Sequence, residues 1–461
     1  MTRGTQFLAM CVAALAAACS DATQPVAPAE HSPSVASTTR TPGGEKLVSI
    51  GTSITMGWAS NGVWEGSQVF GWPALMRFGG GGQISLPLIQ SPGCQPPLVP
   101  PLGANSRLNG DPFSGSNVCA PNEPGVQLPT QNLGLAGALA SYALFVTPAI
   151  ADGAAPWYAR VLPPGGTQVS AAVAQDPTLI SVELGGNDVL SALSGSTLVT
   201  TPLGQYEAAL HAVLDAVGAP GRKGLVLGMS TNGTNLPALR RGDEIWADRF
   251  EFAALHVDVS ADCEGSPNYI NVSIKSIIEV FTAAFTSTHG LPNPVYSCAD
   301  DPSNNEDLVL TPSDITTMNG LLHDMEAFAQ QEAAARGYAF MSIGALYDRP
   351  NLKPPVYSVV SQLTSSQPYG PYISLDGVHP TALGQSVLAD AAGKALNKTY
   401  PGIAAHSVNV PPAFGNQLVQ PTTPFLDLAW AKQIARQYRG QVTPPCMMLG
   451  GCGLRLSRSP R

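Results

Sequence analysis

The sequence predicts an α/β fold built on a parallel sheet, and three observations lead there. Short apolar runs that end at or beside glycine recur along the chain, each the length of a buried strand. Between them lie segments whose apolar residues repeat at helical spacing. The 47 glycines and 42 prolines among 461 residues call for long, turn-rich connections. Strands alternating with helices are the pattern of a parallel sheet with helices packed on it.

The first strand candidate is KLVSIG, from Lys46 to Gly51. TLISVELGG (Thr178 to Gly186), GLVLGM (Gly224 to Met229) and YAFMSIG (Tyr338 to Gly344) are the others. In LGQYEAALHAVLDAVG, Leu203, Tyr206, Leu210, Val213, Leu214 and Val217 share one helical face. Ile315, Met318, Leu322, Met325 and Phe328 do the same in a second helix, with Ser313 or Asp314 as N-cap and Gly337 as its stop. Pro380 suits the first turn of a last helix running through Leu396. Three stretches break this rhythm. Gly79 to Gln131 is a Gly/Pro-rich insertion, Leu236 to about Asn305 is a second and partly helical one, and beyond Tyr400 the chain is irregular except for Leu426 to Tyr438. Inserts of this kind either wall a site or decorate the fold.

The N-terminus reads as an export signal over residues 1–18: Arg3, an apolar run from Phe7 to Ala18, then small residues before Cys19. The run is too short to cross a bilayer. AAAC (Ala16 to Cys19), followed by a Ser/Thr/Pro/Ala-rich segment, resembles a bacterial lipoprotein signal. Cys19 would then be the lipidated first mature residue, and 19–44 a disordered tether holding the protein to a membrane. Cleavage after Ala18, giving a secreted protein, fits the same small residues. A domain over 45–400, with insertions at about 79–131 and 236–305, would be followed by a C-terminal extension over 401–461. A net charge of −9 without a basic stripe argues against nucleic acid as a partner. Oligomeric state is not legible.

Eight cysteines are present. With Cys11 lost in the signal and Cys19 lipidated, six remain as neighbours in sequence: Cys94 and Cys119, Cys263 and Cys298, Cys446 and Cys452. An even set in an exported chain suggests disulfides, although their connectivity is open. None of the spacings resembles a zinc site, and no histidines accompany them.

Three short motifs carry the chemistry. GTSITMG (Gly51 to Gly57) puts Ser53 on a tight turn after the first strand, at the sheet edge where open α/β folds bind ligands. Capping a turn would be the plain role of that serine. GGND (Gly185 to Asp188) follows another strand and offers the Asn187 amide as a donor, or forms an Asx-type turn. DGVHP (Asp376 to Pro380) sets a carboxylate three residues before His379 across a glycine turn. Asp376 can then accept the Nδ1 proton and leave Nε2 as a base, the division of labour in a serine triad. The other histidines lack such a partner: His31 lies in the tether, His211, His256 and His323 in helical patterns, and His289 and His406 stand alone. Trp58, Trp64 and Trp72 could line a site or pack in the core.

GTSITMG resembles the first block of the GDSL, or SGNH, hydrolase family. NLGLAGA (Asn132 to Ala138) is similar to its second block, GGND to its third and DGVHP to its C-terminal block, in family order across about Lys46 to Thr399. The resemblance implies a three-layer α/β/α, flavodoxin-like fold and hydrolysis of esters without metal or organic cofactor. It implies Ser53 as nucleophile, His379 as base, Asp376 as its orienting acid, and an oxyanion hole from the Ser53 and Gly137 amides with the Asn187 side chain. The family's usual aspartate before the serine is here Thr52. The expected function is a carboxylic-ester hydrolase of esterase or lipase type, acting on a small-molecule, lipid or glycan ester. Alternatives are a carbohydrate or cell-wall O-acetyl esterase, and a non-catalytic surface-binding lipoprotein.

Overall fold

Five strands form one sheet in the computed structural model, which describes residues 44–79, 84–151, 154–401 and 403. They are β1 (Leu47–Gly51), β2 (Asn132–Gly134), β3 (Leu179–Glu183), β4 (Lys223–Gly228) and β5 (Ala339–Ser342). Their order is β5-β4-β3-β1-β2, and every pair is parallel. From β1 the chain leaves toward β2 on one side, and from β3 it leaves toward β4 on the other. That reversal opens a crevice at the C-terminal ends of β1 and β3, where ligands bind in flavodoxin-like sheets. All four anticipated strands are in this sheet. β2 was not anticipated, because three residues are too few to show a period.

Successive strand residues point to opposite faces, and here they divide into two cores. Leu47, Leu179, Leu225 and Leu227 belong to one, Val48, Ile50, Ile180, Val182 and Val226 to the other. Helices α2 (Trp72–Gly79) and α6 (Ala382–Thr399) cover the first, through Leu75, Met76, Leu388 and Ala392. Helices α3 (Gln168–Val173), α4 (Leu203–Val217) and α5 (Pro312–Ala335) cover the second, through Val169, Leu210, Val213, Met325 and Ala329. The short α1 (Ser53–Met56) follows β1 directly. The result is the three-layer α/β/α arrangement that the motifs implied.

Two helix starts differ from expectation by two or three residues. Thr311, not Ser313 or Asp314, caps α5: its Oγ1 accepts from Asp314 N at 3.2 Å while the Asp314 carboxylate accepts Thr311 N at 3.0 Å. Pro312 then fills the first helical position, where a missing N–H costs nothing. In the last helix Thr381 is the cap, accepting from Gly384 N, so Pro380 stands just outside.

The described part of the first insertion is irregular, with one 3-10 turn at Leu102–Ala104, and Cys94–Cys119 bridges it. The second supplies two strands (Leu239–Arg241, Tyr269–Asn271) of a three-stranded antiparallel sheet completed by Val309–Leu310 just beyond it, helices that include Lys275–Thr288, and the Cys263–Cys298 bridge. Both bridges join sequence neighbours. Cys19, Cys446, Cys452, the signal, nearly all of the tether and the helical stretch after Leu426 lie outside the described residues. No described helix is long and apolar enough to cross a membrane. Trp58, Trp64 and Trp72 are all buried.

Candidate active site

Ser53 opens α1 with Thr52 as N-cap, directly beyond the end of β1. Its turn can close because position 51 has no side chain: a Cβ there would come within 2.2 Å of Thr55 Oγ1 and 2.9 Å of Glu183 Oε2. At the far end of the chain DGVHP forms a closed loop, in which Ser374 N donates to His379 O at 2.8 Å. The loop turns at Gly377, whose φ of +76° and contact with Ala238 leave no room for a Cβ. Ala238 N donates to Gly377 O, so the second insertion buttresses this loop.

The two segments meet. His379 Nε2 lies 2.9 Å from Ser53 Oγ, 326 residues away in sequence, and His379 Nδ1 lies 3.0 Å from Asp376 Oδ2. Both carboxylate oxygens of Asp376 accept hydrogen bonds. Its Oδ1 takes N–H bonds from Val378 at 3.0 Å and His379 at 2.8 Å, and Oδ2 takes one from Asn61 N at 2.7 Å. The Ser374 hydroxyl adds a longer bond at 3.2 Å. Burial opposes ionisation of this carboxyl, but the His379 imidazole and the N–H donors of His379 and Asn61 outweigh it and hold it below the ordinary aspartate value. An ionised Asp376 keeps the imidazole proton on Nδ1, leaving Nε2 to accept from the Ser53 hydroxyl. Ser53 and His379 are only 3 % and 2 % exposed. The buried Trp58 ring tilts against the imidazole, with centroids 5.9 Å apart.

Asn187 and Gly137 come to the same edge from β3 and β2. Asn187 Nδ2 donates one hydrogen to Ala138 O at 3.0 Å, which leaves its second for another acceptor. Among the described residues no protein acceptor takes the Ser53 or Gly137 backbone N–H. Asp188 secures the pairing by accepting Ala140 N at 2.9 Å. Asn132 ties the second block to the nucleophile turn, donating to Thr55 O at 2.9 Å. His211, His256, His289 and His323 are all exposed, and none reaches the site. His31 and His406 lie outside the described residues.

Three positioning groups escaped the sequence reading. Ser60 and Asn61, both at φ +54°, form a two-residue turn that aims the Ser60 N–H at Ser374 Oγ and the Asn61 N–H at Asp376. The dipeptide Asn61-Gly62 announces a tight turn, but nothing local announces its partner. Arg107, from the first insertion, is the third. Its buried guanidinium donates to the carbonyls of Asn61, Pro96, Pro112 and Phe113, and burial pulls its pKa down to about 10. The insertion therefore stands behind the acid. Among the described residues the cluster with metal-ligand chemistry is Asp262 with Cys263 and Cys298, whose sulfurs are bonded to each other.

A parallel three-layer sandwich with hydroxyl, imidazole and carboxylate in hydrogen-bonding sequence at its C-terminal sheet edge has the build of an acyl-transferring hydrolase. Residues 48–392 match the model of the GDSL-like lipase/acylhydrolase family. The chain belongs to that family and is a hydrolase acting on ester bonds. No curated protein matches it in sequence. Among solved structures it is similar to a variant of an acetyl-xylooligosaccharide esterase from a Geobacillus, at 14% identity over 78% of this chain and 96% of that one, TM-score 0.33. A variant acetyl xylan esterase from Geobacillus stearothermophilus matches at 14% identity over 78% and 97%, TM-score 0.33. Likeness at this level says nothing of substrate.

Proposed function

We propose that this esterase works through a Ser53–His379–Asp376 triad and an acyl-enzyme. The observation that carries the reading is the pair of contacts on one imidazole, 2.9 Å to the Ser53 hydroxyl and 3.0 Å to the Asp376 carboxylate. His379 Nε2 takes the Ser53 proton as Oγ attacks the ester carbonyl, and the Asp376 carboxylate stabilises the imidazolium. The oxyanion is held by the Ser53 and Gly137 amides and the free hydrogen of the Asn187 amide. His379 then protonates the leaving alcohol, and water, activated by the same imidazole, hydrolyses the acyl-enzyme.

One observation favours a small acyl group, and with it an O-acetyl ester on carbohydrate or cell-wall polymer. Ser53 is 3 % and Asn187 5 % exposed, so the nucleophile and its oxyanion donor offer little open surface to a bulky ester, and the first insertion packs behind Asp376. Export, with Cys19 as lipid anchor, belongs to the same proposal; two disulfides within the domain suit an oxidising compartment. Palmitate labelling that persists in Cys19→Ala would remove the anchor.

The test of function uses purified wild type and Ser53→Ala on nitrophenyl esters from acetate to palmitate, and on acetylated xylan. Wild type should be fastest on acetate and Ser53→Ala inactive throughout. Release of acetate from xylan would select the carbohydrate reading. A palmitate optimum would select a lipase, and equal inactivity of both proteins a binding lipoprotein.

A further inference from the structure

We infer that Glu183 is a positioning residue for the nucleophile, a buried carboxylate that clamps the turn on both sides of Ser53. The inference rests on Ser53 as the attacking group. Glu183 is the last residue of β3 and stands opposite Gly51 in the strand register. Its Oε2 accepts from Thr52 N at 2.8 Å and Thr55 N at 3.3 Å. Both Thr52 Oγ1 and Thr55 Oγ1 donate to it as well, at 2.8–2.9 Å. Two donors thus precede the serine and two follow it, converging on one carboxylate from the neighbouring strand.

The side chain is 0 % exposed, so no bulk water can replace these bonds. Burial pushes its pKa up, against the pull of the Thr52 and Thr55 donors. The facing backbone N–H groups of Thr52 and Thr55 can only donate, so the clamp requires an acceptor there. Trp72 Nε1 fixes the outer end by donating to Thr55 Oγ1 at 3.1 Å. Position 52, where the family's pattern has an acid, carries the donor of this pair, and the acid sits across the sheet at 183.

This arrangement makes a reciprocal prediction. Thr52→Asp alone brings two buried carboxylates into contact, whereas with Glu183→Gln the amide can donate to the new acid and restore one acceptor beside α1. The measurements are kcat and KM on nitrophenyl acetate and the inactivation rate of Ser53 by a fluorophosphonate. Glu183→Gln should lower kcat and the inactivation rate by about 10²-fold with KM within about twofold, the scale of an ångström-sized misplacement of a reacting group. Thr52→Val, which keeps the shape and removes one donor, should lower both by about tenfold and serves if Glu183→Gln fails to fold. The double variant Thr52→Asp/Glu183→Gln should exceed both of its single parents in kcat. Wild-type inactivation rates in both Glu183→Gln and Thr52→Val, or a double variant no better than its parents, would overturn the clamp. Full activity in Ser53→Ala would instead overturn the nucleophile reading on which it rests.

Discussion

Replacing Asp376 with asparagine tests the site most directly. In the resting site the carboxylate orients the imidazole through Oδ2 at 3.0 Å. In the transition state it also faces a cation. With charge centres about 4 Å apart and an effective dielectric of about 20, that attraction is about 4 kcal/mol, or about 10³-fold in rate. Asparagine adds a second fault. If its carbonyl keeps the Val378 and His379 N–H bonds, its NH2 faces the Asn61 N–H and His379 Nδ1. The imidazole is then driven to the tautomer that cannot accept from Ser53. Together the effects should lower kcat by on the order of 10³–10⁴, with KM within about threefold, since no substrate contact is lost. The assay is initial-rate hydrolysis of nitrophenyl acetate, with a thermal unfolding curve to show that the variant is folded. A folded Asp376→Asn enzyme within tenfold of wild-type kcat would refute the proposed role of the carboxylate.

Asn187→Ala should cost on the order of 10²–10³ in kcat and little in KM, and unchanged turnover would remove Asn187 from the oxyanion site. Arg107→Lys cannot serve four carbonyls with one ammonium, so urea denaturation should register a loss of at least about 3 kcal/mol. Its kcat should fall too, because Asn61 links Arg107 to Asp376; stability lost with kcat intact would break that link. Burial raises Asp188 from 3.8 to about 6. Its folded pKa exceeds the unfolded one, so its contribution is full below pH 3.8 and is lost as pH rises through 6, roughly 3 kcal/mol in all. In Asp188→Asn that loss should vanish, and the variant's melting temperature should gain on wild type between pH 4 and 6.5. Parallel pH slopes for the two proteins would contradict the assignment.

How much was legible depends on how local each signal is. The four longer strands and three of the principal helices stand out because a pleat or a helical turn repeats within one short window. Ser53, Asn187, Asp376 and His379 could be singled out because each sits beside glycine-marked turn chemistry. β2 was too short to leave a period, the cap of α5 was displaced because several Ser, Thr and Asp residues compete within one turn, and α6 begins beyond Pro380 because Thr381 caps it. Asn61, Arg107 and Glu183 had no signal that named their partners. An Asn-Gly turn, a lone arginine in a loop and a glutamate at a strand end are ordinary by themselves. Thr52 departs from the family's pattern, and only the tertiary structure shows it donating to Glu183.

The sequence by itself determined four of the five sheet strands, three of the principal helices and which residue types bear the chemistry. Only the tertiary structure decided that His379 meets Ser53, that Asn61 serves Asp376, and that a carboxylate on β3 supports a turn that begins at β1. The physical reason is range. Backbone periodicity is set by residues a few positions apart, whereas these contacts follow from strand order and crossover, which bring together groups hundreds of residues apart that share no local pattern.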